Sequence, residues 1–155
     1  MCKCIGRGIM KLYLDILGRC PQKQKMERFA NDVITSFFTN RFSRNIYIDI
    51  QILRVIDGDC AGLCMGDRES VEIELSRHDP DGVKYTVKEL AQNLAHELVH
   101  AKQYIKGQID GYQRYRQSTN KSWTNHENTP YSKQPWEKEA YKLEEELVER
   151  FWNNA

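Results

Sequence analysis

The stretch from Thr86 to Gly107 constrains the fold more strongly than any other part of the chain. Thr86 is followed three residues later by Glu89, which is the capping-box pattern of a helix start. Gly107 is a residue type that commonly follows a helix end. Between them, apolar residues recur at helical spacing in one stripe: Val87, Leu90, Ala91, Leu94, Leu98, Ala101 and Ile105. The sequence therefore predicts an amphipathic helix anchored in a core by this stripe.

The same helix carries the sequence His96-Glu97-Leu-Val-His100. Residues at i and i+4 lie on one helix face, so both imidazoles can reach one metal ion. At about 100° per residue, His96 and His100 fall away from the apolar stripe and can face a cleft. Glu97 is placed to hold a water molecule and to take its proton as general base. This HExxH spacing is typical of zinc-dependent hydrolases and predicts one bound Zn²⁺, with both histidines as ligands.

The composition favours a single soluble domain spanning residues 1–155, with residues 1–20 able to lie at its periphery. The net charge is +1 without a basic block, which argues against a nucleic acid or an anionic membrane as partner. No apolar run approaches a membrane span. The segment Ile9–Leu17 is broken by Lys11 and Asp15, and no cleavage site follows it, so a cytoplasmic location is expected.

The cysteine count of five is odd and does not indicate a disulfide framework, so reduced thiols are expected. A second zinc site from Cys2, Cys4, Cys60 and Cys64 is conceivable, but neither pair has CxxC spacing. Met10 could be an alternative start. The preceding residues are then predicted to be dispensable.

The remaining elements predict an α+β fold. Residues 10–17 could form a short helix or a strand, and a helix with an aromatic buried face follows from Pro21 to about Asn40. Alternating apolar residues then predict three strands, near Asn45–Leu53, Cys60–Met65 and Val71–Leu75. Tight turns between them favour a three-stranded antiparallel meander, with Cys60–Met65 in the middle. The third strand would hold an extended peptide by strand addition if its edge is exposed.

After the HExxH helix comes a long polar segment, Gln108–Gln134. It is either a flexible surface excursion or the wall or lid of a cleft. In the second case its aromatic residues would be contacts: Tyr112, Tyr115, Trp123 and Tyr131. A helix from about Pro135 to Trp152 closes the chain, with a buried stripe of Trp136, Ala140, Leu143, Leu147 and Phe151.

A catalytic zinc ion usually has three protein ligands, so one more is needed. The downstream candidates are His126, Glu137 and Glu139, and His78 is a less suitable upstream candidate. Glu137 lies at the less charged edge of the apolar stripe of the closing helix, whereas Glu139 lies among charged residues. Glu137 is therefore preferred, and Glu144, two turns further on the same flank, is the reserve.

Three segments in this order resemble the SprT-like minimal zincins: Ala61-Gly-Leu-Cys64, Ile73-Glu-Leu-Ser76 and the HExxH motif. The resemblance implies a zinc peptidase with a helix, a three-stranded meander and an active-site helix. In that family the third ligand is a histidine soon after the second one. This chain departs from that pattern, because His126 is distant.

The segment Pro135-Trp-Glu137-Lys-Glu-Ala140 instead resembles the E-x-x-A helix of gluzincin-type peptidases. In those enzymes the first Glu of the motif binds the metal, which implies Glu137 here. The Asp or Asn that they carry four residues later is replaced by Tyr141. Phage-encoded proteins of unassigned substrate also look similar across HELVHAKQY and PWEKEA.

These observations predict a zinc metallopeptidase that cleaves a protein or peptide substrate, with Glu97 as general base and His96, His100 and Glu137 as ligands. An oxyanion-stabilising or substrate-contacting group is expected as well, and Tyr131, Tyr104 and His126 remain open for that role. Two alternatives remain: a zinc-binding module that binds a peptide or partner without turnover, and a DNA-associated SprT-like protease. The intact base argues against the first alternative, and the neutral charge argues against the second.

Overall fold

The computed structural model describes residues 10–39 and 42–154, so the expectations for Cys2, Cys4 and the start at Met10 fall mainly outside it. Within these ranges the chain is an α+β protein, as the sequence predicts. Its main elements are β1 (Lys11–Gly18), α1 (Lys23–Ser36), β2 (Asn45–Leu53), β3 (Gly62–Gly66), β4 (Ser70–Ser76), α2 (Val87–Ile105), β5 (Arg114–Tyr115), β6 (Thr124–Asn125) and α3 (Pro135–Leu147). A 3₁₀ turn (Tyr131–Lys133) precedes α3, and a π-helical turn (Val148–Trp152) follows it. Within the described ranges, no helix is both long and apolar enough to cross a bilayer.

The four long strands form one mixed sheet in the order β1-β2-β4-β3. The predicted antiparallel meander is wrong, because β2 pairs in parallel with β4 and only β3 and β4 are antiparallel. The burial of each strand explains this order. Val71, Ile73 and Leu75 give β4 a continuous buried face that fills a central position. The shorter β3 begins and ends with glycine and is mostly exposed, which suits an edge.

Because β4 and not β3 lies in the middle, the free edge of the sheet is on a different strand from the one predicted. The strand predicted third, β4, has a partner on both sides, so the condition for peptide addition there is not met. The free edge on this side of the sheet belongs to β3. The opposite edge is β1, which resolves the choice between helix and strand for residues 10–17 in favour of a strand. Helix α1 connects the parallel strands β1 and β2, as a parallel pair requires.

Helix α2 lies at the centre of the molecule. One side of it packs on the sheet against β3 and β4. The buried isoleucines of β2 belong to the same hydrophobic core: Ile46, Ile48, Ile50 and Ile52. The other side contacts α3 and the π-helical turn. This second contact covers the face of α2 that carries the histidines, so the metal-ligand candidates lie between two helices.

Candidate metal centre

The N-terminus of α2 is fixed by its cap. The Glu89 backbone N–H donates to Thr86 Oγ1 at 3.1 Å, and the Thr86 N–H donates to Glu89 Oε2 at 2.7 Å. This reciprocal capping box confirms the predicted helix start. His96 and His100 face α3 and are buried, with exposed fractions of 9% and 7%.

Three predicted residues meet at one point. His96 Nε2 and His100 Nε2 are 3.2 Å apart, and the Glu137 carboxylate bridges them. Its Oε2 is 3.1 Å from His96 Nε2, and its Oε1 is 3.2 Å from His100 Nε2. One ligand atom from each residue lies within 4.8 Å of the others, so the group could hold one metal ion. Two imidazole nitrogens and a carboxylate oxygen are a donor set that fits catalytic zinc.

The start of α3 brings Glu137 to the histidines. Pro135 occupies the first helical turn, and the buried Ala140 lets α3 approach α2. Glu137 is 7% exposed although it is ionisable. The Tyr131 hydroxyl, from the 3₁₀ turn before the helix, donates a hydrogen bond to Glu137 Oε2 at 2.8 Å. The first turn of α3 therefore places a buried, oriented carboxylate beside the two histidines.

The other candidates for a third ligand lie elsewhere. Glu139 forms an ion pair with Lys102. His126 Nδ1 lies 3.1 Å from Thr129 Oγ1, and its ring packs edge-on against Trp136. His78 belongs to a β-bridge that precedes α2. Among the described residues, the group of His96, His100 and Glu137 is the one with metal-binding geometry.

Each histidine has a partner on the nitrogen that faces away from the cluster. His96 Nδ1 lies 2.7 Å from Glu144 Oε2, and Gln92 Nε2 donates to the other oxygen of that carboxylate at 3.0 Å. His100 Nδ1 lies 2.8 Å from Gln103 Oε1. Such contacts orient the imidazoles of metal-ligating histidines. Glu144, the reserve ligand, therefore contacts a candidate ligand instead, and the sequence analysis does not identify Gln103.

The sequence holds signals for both contacts. Gln103 is three residues after His100 on the same helix, a spacing at which side chains are neighbours. Glu144 lies two turns after Glu137 on α3 and so shares its face. Tyr141, which replaces the expected Asp or Asn, packs its ring edge-on against His96 at a centroid distance of 4.6 Å.

Glu97 lies beside the cluster but is not part of it. It is 6% exposed, and Gly62 of β3 lies directly against it. A Cβ atom at Gly62 would be 2.7 Å from both Cγ and Oε1 of Glu97, so any larger residue there would force the Glu97 side chain to move. Burial raises the pKa of Glu97, while the neighbouring His100 and His96 oppose that shift. A raised pKa suits a carboxylate that must accept and release a proton.

The ionisable side chains of the cluster shift one another's pKa values. Burial alone lowers the pKa of His96, but hydrogen bonds to Glu137 and Glu144 outweigh it and raise this pKa to about 9. The pKa of Glu137 shifts in the opposite direction. Burial alone would raise it, but hydrogen bonds to His100 and His96 lower it to about 2. A metal ion that enters this site must therefore displace protons.

A cleft of about 190 Å³ opens on this cluster. Its walls come from β3 and the segment before it, from α2, from the 3₁₀ turn and from α3: Cys60, Ala61, Gly62, Asn93, His96, Glu97, Tyr131, Tyr141 and Glu144. Of the three residues left open as oxyanion or substrate contacts, Tyr131 lines this cleft. Tyr104 lines a second cavity of about 320 Å³, and His126 packs behind the Trp136 wall of that cavity.

The polar segment after α2 contributes to both cavities. It supplies Tyr131 to the first and Ile109, Gly111, Gln113, Arg114 and Gln134 to the second. Tyr112 is largely exposed, and Trp123 stacks against Arg116 instead of facing the cluster. This segment thus forms part of the walls of both cavities, and the short strand pair β5 and β6 lies within it.

The described cysteines Cys20, Cys60 and Cys64 are free, and burial raises the Cys64 pKa well above its ordinary value.

Comparisons with known proteins assign no family. No protein-family model and no curated protein matches the chain. The chain is similar to a crystal structure of a Wss1 mutant from Saccharomyces cerevisiae, with a TM-score of 0.39 and 13% identity over 94% of this chain and 92% of that chain. A likeness this loose establishes neither family nor function.

Proposed function

We propose that this protein is a zinc-dependent peptidase. The observation that carries the proposal is the convergence of His96, His100 and Glu137 beside a separate buried carboxylate, Glu97. Two nitrogen donors and one oxygen donor leave a position open in a tetrahedral site, as hydrolytic zinc sites require. A purely structural zinc site has four protein ligands and needs no free carboxylate at its side.

When bound by these three residues, zinc would supply a Lewis acid and lower the pKa of a water molecule. Glu97 takes a proton from the attacking water and delivers it to the leaving amine nitrogen. Burial raises the pKa of Glu97 and the neighbouring histidines lower it, a balance that suits a carboxylate which first accepts a proton and then releases it. Tyr131 lines the same cleft, and its hydroxyl would stabilise a developing oxyanion by turning to it from its present acceptor, Glu137 Oε2.

The free edge of β3 is the proposed docking site for an extended substrate. Gly62 at its start contacts Glu97, whereas Gly66 at its end shares a cavity with Tyr104. An added antiparallel strand would therefore run from Gly66 towards Gly62. Substrate residues that precede the scissile bond would then lie on the Tyr104 side, next to the second cavity.

The second cavity would accept one large neutral side chain. Its volume of about 320 Å³ is at the small end of the range of about 300–1,000 Å³ for ligand pockets. Tyr104, Ile109 and Trp136 provide apolar walls, and two glutamines provide amides. The charge of Arg114 is paired with Asp110, so the lining offers no free charge to an acidic or basic side chain.

Digestion of a mixed peptide library by the zinc-loaded protein tests this proposal. We expect cleavage with a preference for aromatic or large apolar residues before the scissile bond. Glu97→Gln is the matched variant and should retain zinc but lose cleavage, because it removes the base and no ligand. Zinc binding without cleavage by either protein would favour a binding module. Equal cleavage by both would exclude Glu97 as the base.

A further inference from the structure

A buried polar bridge beside the site has no role in the proposed reaction. Gln103 is 0% exposed, and its amide makes three hydrogen bonds. Oε1 lies 2.8 Å from His100 Nδ1. Nε2 donates to the Trp136 backbone oxygen at 3.0 Å and to Glu139 Oε1 at 3.1 Å. The bridge therefore links a candidate metal ligand on α2 to the first turn of α3.

The partners of Gln103 determine the direction of its amide. A backbone carbonyl can only accept a hydrogen bond, and so can a carboxylate. The buried Lys102 ammonium donates a charge-assisted hydrogen bond to the same Glu139 oxygen, so this carboxylate is ionised and accepts from Gln103 as well. The NH₂ group of Gln103 must therefore face Trp136 and Glu139. Its oxygen is left to face His100.

An amide oxygen beside Nδ1 requires a proton on that nitrogen. His100 must then donate from Nδ1, so Nε2, which faces Glu137, is the nitrogen left to bind a metal ion once its own proton is displaced. Reversal of the amide would put NH₂ against Nδ1 and oxygen against two acceptors, which leaves buried groups unpaired. We propose that Gln103 is a positioning residue that fixes the tautomer and ring orientation of His100 for metal binding.

A neutral amide suits this position better than a carboxylate. The site already contains three carboxylates, Glu97, Glu137 and Glu144, and the last of them orients His96. An amide beside His100 orients the imidazole ring without adding another buried negative charge. The same bridge holds Trp136, the residue before Glu137. Gln103 therefore couples the position of one ligand on α2 to that of another on α3.

The test is Gln103→Glu, which keeps the size of the side chain but replaces the NH₂ group with an oxygen. The Trp136 carbonyl and the Glu139 carboxylate repel that oxygen and move the side chain away from His100. We expect the zinc dissociation constant to rise about 10–100-fold. In NMR spectra of the zinc-loaded protein, the His100 Nδ1–H should exchange faster with solvent while that of His96 is unchanged. Adding Glu139→Gln returns one donor and should recover part of the affinity. Glu144→Gln is the crossed control and should affect the N–H of His96 alone.

A structural role would give a different pattern. If Gln103 only joins two helices, Gln103→Glu would lower the melting temperature of the metal-free protein and leave the His100 N–H unchanged, which would overturn the proposal. Wild-type affinity, or no recovery in the double variant, would also overturn it. If Gln103→Glu fails to fold, Gln103→Met keeps the volume, removes every bond and should give the same zinc and N–H effects. None of these measurements requires peptidase activity.

Discussion

Replacement of Glu137 by Gln tests the ligand set most directly. The substitution keeps the shape of a buried side chain that contacts both histidines, but it removes the anionic donor. Four-ligand zinc sites bind with about 10–16 kcal/mol, or about 2.5–4 kcal/mol per ligand. Loss of one ligand should therefore weaken zinc binding by roughly two to three orders of magnitude.

Protons compete with zinc for His96, so the loss of zinc affinity in Glu137→Gln depends on pH. With a pKa of about 9, His96 is deprotonated in only about one molecule in a hundred at pH 7. Glu137→Gln removes a partner that holds this proton, so the pKa of His96 should fall towards its ordinary value of 6.5. Relief of competition could thus offset the loss at pH 7 by up to roughly two orders of magnitude. Near pH 9.5 the offset should almost vanish.

The assay is competition for zinc against a chelator at pH 7 and pH 9.5, with circular dichroism as the check on folding. We expect a far larger deficit for Glu137→Gln at pH 9.5 than at pH 7. Glu146→Gln, an exposed change on the same helix, and His126→Ala should retain wild-type affinity. Wild-type affinity of Glu137→Gln at pH 9.5 would refute the ligand assignment. A greater loss in His126→Ala would restore the three-histidine set of the SprT-like family.

Three further outcomes are expected. Gly62→Ala should lower kcat about 10–100-fold with little change in zinc content, because its Cβ would be 2.7 Å from Glu97 Oε1; an unchanged kcat would contradict that contact. The pKa of His96 is raised in the folded metal-free protein, so its stabilisation is complete below pH 6.5 and is lost as the pH rises through about 9. Urea titrations should therefore show a fall on the order of 3 kcal/mol in the free energy of unfolding over this range, and bound zinc should abolish that fall. Tyr131→Phe should reduce kcat about 100-fold while zinc affinity falls at most about tenfold, and a kcat equal to wild type would exclude it as an oxyanion donor.

The sequence alone determined the features that depend on neighbours along the chain. The capping box of Thr86 and Glu89 and the apolar stripe define α2, and the i, i+4 spacing puts His96 and His100 on one face. Glu137 could be preferred for the same reason, because its angle relative to the stripe of α3 follows from helix geometry. The position of Gln103 beside His100 was equally readable, but its role depends on acceptors from another helix.

Only the tertiary structure decided which distant segments meet. The alternation of apolar residues identifies the buried face of each strand but not its neighbours in the sheet. It therefore could not show that β4 lies between β2 and β3, whereas a meander would place β3 in the middle. The same limit applies to the contact of Gly62 with Glu97, which joins a sheet edge to a helix. The contact of Glu144 with His96 spans 48 residues. Such contacts are selected by the packing of the whole core, whereas capping, periodicity and helical spacing are fixed within a few residues.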